Sequence, residues 1–128
     1  MYKRQTLYTA LELSSEVSAH TFQPLPATAT HLTTVSTFST GKPASKDMLV
    51  AELLSPTPTD SFPIPYLYVS NRNDPSPEGD TIAIFAIGDG KLELVNEVRT
   101  GLDHVRGMVF DKTSRWLCLL YTSPSPRD

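Results

Sequence analysis

Laid on itself with an offset of 60, the 128-residue chain repeats. Leu7-Tyr8 falls on Leu67-Tyr68, Leu32 on Leu92, Val35 on Val95, and Thr40-Gly41 on Thr100-Gly101. Behind each Thr-Gly comes a further strand-like run, MLVAELLSP in the first copy and HVRGMVFDK in the second. Their offset is 56, because the preceding loop differs in length. A unit this short has too little apolar surface to bury by itself and must stack on its neighbours. The alternative is a chance likeness between two similar meanders.

Within the unit, apolar and β-branched residues come in short runs punctuated by Pro, Gly, Ser, Asp and Thr, a pattern of strands and turns. The pattern predicts strands over 6–13, 17–22, 32–38, 48–54, 66–71, 81–87, 92–99, 105–111 and 115–121. SPTPTDSFPIP and NRNDPSPEGD are loops, since proline removes a backbone donor and clashes with a preceding helical turn. The expected fold is all-β, a partial β-propeller of four-stranded antiparallel blades. Residues 1–117 hold the last three strands of one blade, a whole blade from Met48 to Arg99, and the opening of a third. Propellers have about 4 to 8 blades, so nothing here closes a ring. From Cys118 the chain reads as an appended, non-native tail or a disordered end, rich in Ser and Pro.

Charge and composition narrow the function classes. The net charge is −3, and the basic residues stand singly, so no stripe could neutralise a row of phosphates; nucleic acid is not expected as a partner. No apolar run reaches the length of a signal core or a membrane span, and no N-x-S/T sequon occurs. The expected location is the cytoplasm. Cys118 is the one cysteine, which excludes an internal disulfide and a paired-cysteine zinc site.

Four segments, LYTALELSSEV, AELLSP, PYLYVSNRNDPSPEGDTIAIFAI and TGLDHVRGMVFDKTSRWL, resemble the seven-bladed lactonase family. That family includes bacterial 6-phosphogluconolactonases and fungal 3-carboxy-cis,cis-muconate cyclases. The stretch SPTPTDSFPIPYLYVSNRNDPSPEGD is closer to the fungal branch. Two departures stand out: Leu11 precedes Glu12 where the family usually has Asn, and Val105 lies between His104 and Arg106 where it commonly has Pro. The resemblance implies about two blades of a seven-bladed ring, no cofactor, and a small anionic substrate bearing a carboxylate or phosphate. It implies an enzyme in the intact ring and no turnover from these blades alone, whose open faces and edges would favour aggregation.

His104 and Arg106 stand two apart where a strand is expected, so alternation would put an imidazole and a guanidinium on one face. The first exchanges protons near neutrality and the second grips a carboxylate or phosphate. The plain alternative is a solvated strand end. Glu12 and Arg72 are related by the offset of 60 and sit at equivalent strand ends, which in a propeller open on the channel rim. They either face a common ligand or form an exposed ion pair of little energetic weight. Glu52 aligns with Met108 and borders the channel or packs structurally. His20 and His31 follow no ligand spacing and are expected at the surface. Asp74, Glu78 and Asp80 form an acidic loop without calcium-loop spacing, expected to be solvated. No metal site is expected.

Three readings follow. A cycloisomerase of the muconate-cyclase kind would use Arg72, Arg106 and Glu52 to bind substrate, with His104 or Glu12 moving the proton. A sugar-lactone hydrolase of the 6-phosphogluconolactonase kind would hold a phosphate with the same arginines and activate water with His104 or Glu12. A non-catalytic propeller scaffold or binding module would need neither.

Overall fold

The computed structural model describes residues 5–22, 29–41, 46–88 and 90–121. They form nine strands: β1 (Gln5–Leu11), β2 (Glu16–Phe22), β3 (Ala29–Ser36), β4 (Leu49–Leu54), β5 (Tyr66–Arg72), β6 (Thr81–Gly88), β7 (Lys91–Arg99), β8 (Val105–Phe110) and β9 (Leu117–Tyr121). There is no helix among the described residues. Every pairing is antiparallel, in the orders β1-β2-β3, β4-β5-β6-β7 and β8-β9. The middle sheet is the complete four-stranded unit. The first has three strands of the same order, and the third has two.

Alternation on β5 and β6 explains the stacking. Leu67, Val69, Ala83 and Phe85 are buried and meet Val17 and Ala19 of β2, Val50 of β4 and Leu92 of β7 in one core between the first two sheets. Each large apolar side chain so buried contributes about 1.5–3 kcal/mol. β4 touches β1 on one side and β8 on the other, while β3 touches β7, so the sheets stack face to face in chain order. Tyr68 of β5 meets Phe110 of β8 edge to face, with ring centroids 4.9 Å apart.

Strand pairing refines the repeat. Tyr8 pairs with Ala19 as Tyr68 pairs with Ile84, so β1 and β5 keep the offset of 60. Val17 pairs with Val35 and Ile82 with Val98, so Val35 corresponds to Val98 and not to Val95. Thr37 likewise corresponds to Thr100: each donates its backbone N–H to the residue just before the paired strand, Ser15 O at 3.0 Å and Asp80 O at 2.9 Å. The longer 73–80 loop shifts the alignment, which a constant offset cannot follow.

Cys118 to Tyr121, assigned to the tail from sequence, lie in β9 and pair with β8, as the apolar run LCLLY allows. The rest of that tail lies outside the described residues.

Candidate active site

Three chain segments meet at one end of the stack: the turn after β1, the end of β5 with the loop behind it, and the approach to β8. Their hydrogen bonds tie them together. Arg72 Nη2 donates to Glu12 Oε1 at 2.8 Å, which joins the first sheet to the second. Asn73 Nδ2 donates to Asp47 O at 3.1 Å, and Asn73 Oδ1 lies 2.7 Å from His104 Nδ1, which joins the second sheet to the third.

The structure thus brings Glu12 and Arg72 together as an ion pair. The carboxylate side chain is 52% exposed and the guanidinium 22%, so solvent screens the attraction and it contributes at most about 1 kcal/mol. Arg72 Nε is buried without a hydrogen-bond partner, an unusual state for a guanidinium donor. The arginine is held in place while part of its donor capacity is unspent.

His104 is not on a strand. It precedes β8 with φ 60°, and the β8–β9 register shifts between Val105 and Gly107, which places Arg106 at a bulge. Strict alternation does not hold there, so the same-face argument for His104 and Arg106 fails. Arg106 is exposed. Glu52 is half-buried on β4, where the β4–β5 register also shifts; its N–H donates to Ser70 Oγ at 3.0 Å. It lines a shallow hollow of about 410 Å³ with Met108, its counterpart in the repeat, and with Gly107, Cys118 and Leu120. Among the described residues no side-chain hydrogen bond or ion pair links Glu52 or Arg106 to the Glu12–Arg72 or Asn73–His104 pairs.

Several residues that hold the site carried no sequence signal. Asp80, expected in a solvated acidic loop, is 1% exposed. Its carboxyl oxygens accept from Asp74 N and Val105 N, both at 2.9 Å, so it fixes the loop after β5 and the first residue of β8 together. Asp74 is also placed structurally, paired with Arg99 at 2.7 Å. Gly79 is confined by the same joint: its φ is +86°, and an added Cβ would come within 2.6 Å of Leu102 N. The equivalent joint between the first two sheets is a buried polar cluster. Thr37 Oγ1 lies 2.7 Å from Asn71 Oδ1, and Asn71 Nδ2 donates to Thr37 O at 3.2 Å and Thr81 Oγ1 at 3.1 Å. Ser15 Oγ donates to Met48 O at 3.2 Å, just before β4.

His20 and His31, expected as unrelated surface residues, face each other across β2 and β3 with ring centroids 5.3 Å apart; His31 is exposed and His20 half-buried. Among the described residues no group of three or more His, Cys, Asp or Glu side chains is arranged so that it could hold a metal ion. The described residues contain no helix long and apolar enough to cross a membrane.

Solved structures share this fold. A protein from Lactobacillus plantarum matches with a TM-score of 0.71 at 26% identity, over 91% of this chain and 31% of its own. A candidate 6-phosphogluconolactonase from Bacteroides uniformis matches with a TM-score of 0.65 at 24% identity, over 89% and 29%. Another from Bacteroides fragilis NCTC 9343 gives 0.66 at 20%, over 89% and 28%. This chain therefore spans about three-tenths of the length of each. No curated protein matches it significantly. The family model for "Lactonase, 7-bladed beta-propeller" matches residues 2–122, and with the stacked antiparallel sheets it shows that the chain belongs to the lactonase family of seven-bladed β-propellers.

Proposed function

We propose that this chain forms one sector of the active site of a lactone hydrolase acting on a small anionic lactone, a phosphorylated sugar lactone of the 6-phosphogluconolactone type. The observation that carries the reading is the meeting of a carboxylate, a guanidinium and an imidazole from three successive sheets at one end of the stack. Membership of the lactonase family supports hydrolysis. The names borne by two structural neighbours agree with it and favour it over the muconate-cyclase reading.

In this mechanism His104 Nε2 accepts a proton from water as the water oxygen bonds to the lactone carbonyl carbon. The ring C–O bond then breaks, the proton passes from the imidazolium to the departing alkoxide, and the product is the open-chain hydroxy acid. Arg72 holds the substrate's anionic group or stabilises the oxyanion, and Glu12 keeps the guanidinium oriented. Arg106 and Glu52 are assigned to the channel wall, where blades outside this chain complete the pocket. The chemistry needs no cofactor, and a phosphorylated substrate suits the cytoplasm.

The test is lactone hydrolysis by the complete propeller that carries this sequence, with 6-phosphogluconolactone as substrate. His104→Ala is expected to lower kcat about 100-fold or more, and Arg72→Ala to act chiefly through KM. Turnover that survives both substitutions would overturn these residue roles, and ligand binding that survives both in a protein that turns over no lactone would establish the scaffold reading instead. Cyclisation of a carboxymuconate without lactone hydrolysis would establish the cycloisomerase.

A further inference from the structure

We propose that Asn73 is a positioning residue: it locks His104 in the Nδ1–H tautomer and so presents Nε2 as the proton acceptor. The proposal rests on His104 being the base of the reaction above, but the tautomer follows from geometry alone.

The amide of Asn73 can be oriented without ambiguity. One of its ends lies 3.1 Å from Asp47 O, a backbone carbonyl that only accepts, so that end is the Nδ2 donor. The other end, Oδ1, then faces His104 Nδ1 at 2.7 Å. An amide oxygen also only accepts, so the ring nitrogen facing it carries the proton. In the neutral imidazole Nε2 is then unprotonated, and it has no protein partner among the described residues.

The backbone is committed to this contact at both ends. Asn73 has φ 64° and His104 has φ 60°, left-handed conformations that non-glycine residues adopt rarely. Asn tolerates that region better than most residues, which suits the position. His also enters it more often than most residues, and His104 is fixed there by its neighbour. It is pinned because the next residue, Val105, donates its N–H to the buried Asp80 carboxyl. Two unfavourable backbone states facing each other across one short hydrogen bond mark a contact maintained by the surrounding structure. The ion pair next door involves a different residue, Arg72, and does not reach the imidazole by any hydrogen bond.

Nitrogen NMR of the histidine-labelled complete propeller carrying this sequence tests this without substrate. His104→Gln identifies the His104 signals by difference. The expected result is a single neutral tautomer for His104 with the proton on Nδ1. Asn73→Asp gives up the bond to Asp47 O but keeps a charged acceptor beside the ring, so it should retain the tautomer and make the ring protonate at higher pH than in the unsubstituted chain. Asn73→Ala should lose the single-tautomer signature. A His104 ring protonated on Nε2, or a ring whose titration is unmoved by Asn73→Asp, would overturn the proposal. If Asn73→Ala fails to fold, the Asp arm still decides. The same substitution in the complete enzyme should shift the acidic limb of the kcat profile to higher pH. An Nδ1–H tautomer in an enzyme that hydrolyses no lactone would count against the functional reading and leave the positioning role standing.

Discussion

Asp80 shows how one buried side chain governs residues it does not touch. Its two carboxyl oxygens satisfy the amides of Asp74 and Val105, and its own backbone bonds to Leu102 and Thr100. Asp80→Ala would leave two amide donors without partners at a cost of about 3 kcal/mol. We expect amide exchange at Asp74 and Val105 to accelerate by about two orders of magnitude; unchanged protection there would refute the clamp. At this scale the sequence was partly legible. Glu12 and Arg72 could be matched because a repeat relates side chains in register, and the ion pair confirms that they are neighbours. Asp80 and Asn73 were illegible because their partners are backbone groups and one imidazole across loops. Residue spacing carries no record of such contacts. His104 was found, but the face it was assigned depended on an alternation that its left-handed backbone breaks.

The hairpin of β8 and β9 depends on a single acidic residue in its turn. Asp111 Oδ2 accepts from the Thr113 hydroxyl at 2.7 Å, and Oδ1 accepts from the Trp116 and Arg115 amides at 3.1 Å. The Thr113 hydroxyl first, then these backbone N–H groups, hold the Asp111 carboxyl below the ordinary carboxylate range. A depressed value means that the charged form is the one the folded turn favours. Its stabilisation is therefore complete above about pH 4 and is lost as the pH falls through the lowered value. Trp116, the one tryptophan, sits in this turn, so its fluorescence should report the loss on acidification. In Asp111→Asn that acid transition should disappear; an identical transition would show that other carboxylates cause it. All nine strands were legible, each within a few residues, because β-branched runs bounded by Pro and Gly leave few alternatives. The register of the third strand in each repeat was not, since the extra residues of the 73–80 loop are invisible to a fixed offset.

Across the whole molecule the apolar surface is unevenly covered. Val109, Trp116 and Leu120 are 61–68% exposed around the two-stranded sheet, whereas the four-stranded sheet hides Leu67, Val69 and Phe85 completely. Among the described residues β9 pairs on one side alone, which leaves a row of backbone donors and acceptors open beside an apolar face. Studied by itself, the chain should bind a hydrophobic dye and self-associate with rising concentration in sedimentation. Combining Val109→Lys with Leu120→Lys should weaken that association by at least about tenfold, as expected for two large apolar groups. A monomer indifferent to these changes would place the contact elsewhere. The partial ring itself was legible in the repeat; the way successive sheets are fastened, through Ser15 and Thr37 at one joint and Asp80 at the next, was not.

The proline-rich connection over 55–65 leaves β4 and enters β5 at the end away from Arg72, about 20 Å along the seven-residue strand. It closes on itself through Thr59 and Phe62 and, with Phe110 and Leu117, walls an apolar hollow of about 380 Å³. Doubling the length of such a loop costs only about 0.6 kcal/mol in closure entropy. Insertions, tags or lineage-specific extensions can therefore accumulate on that rim while the imidazole at the other keeps its geometry, so the two rims are free to evolve at different speeds.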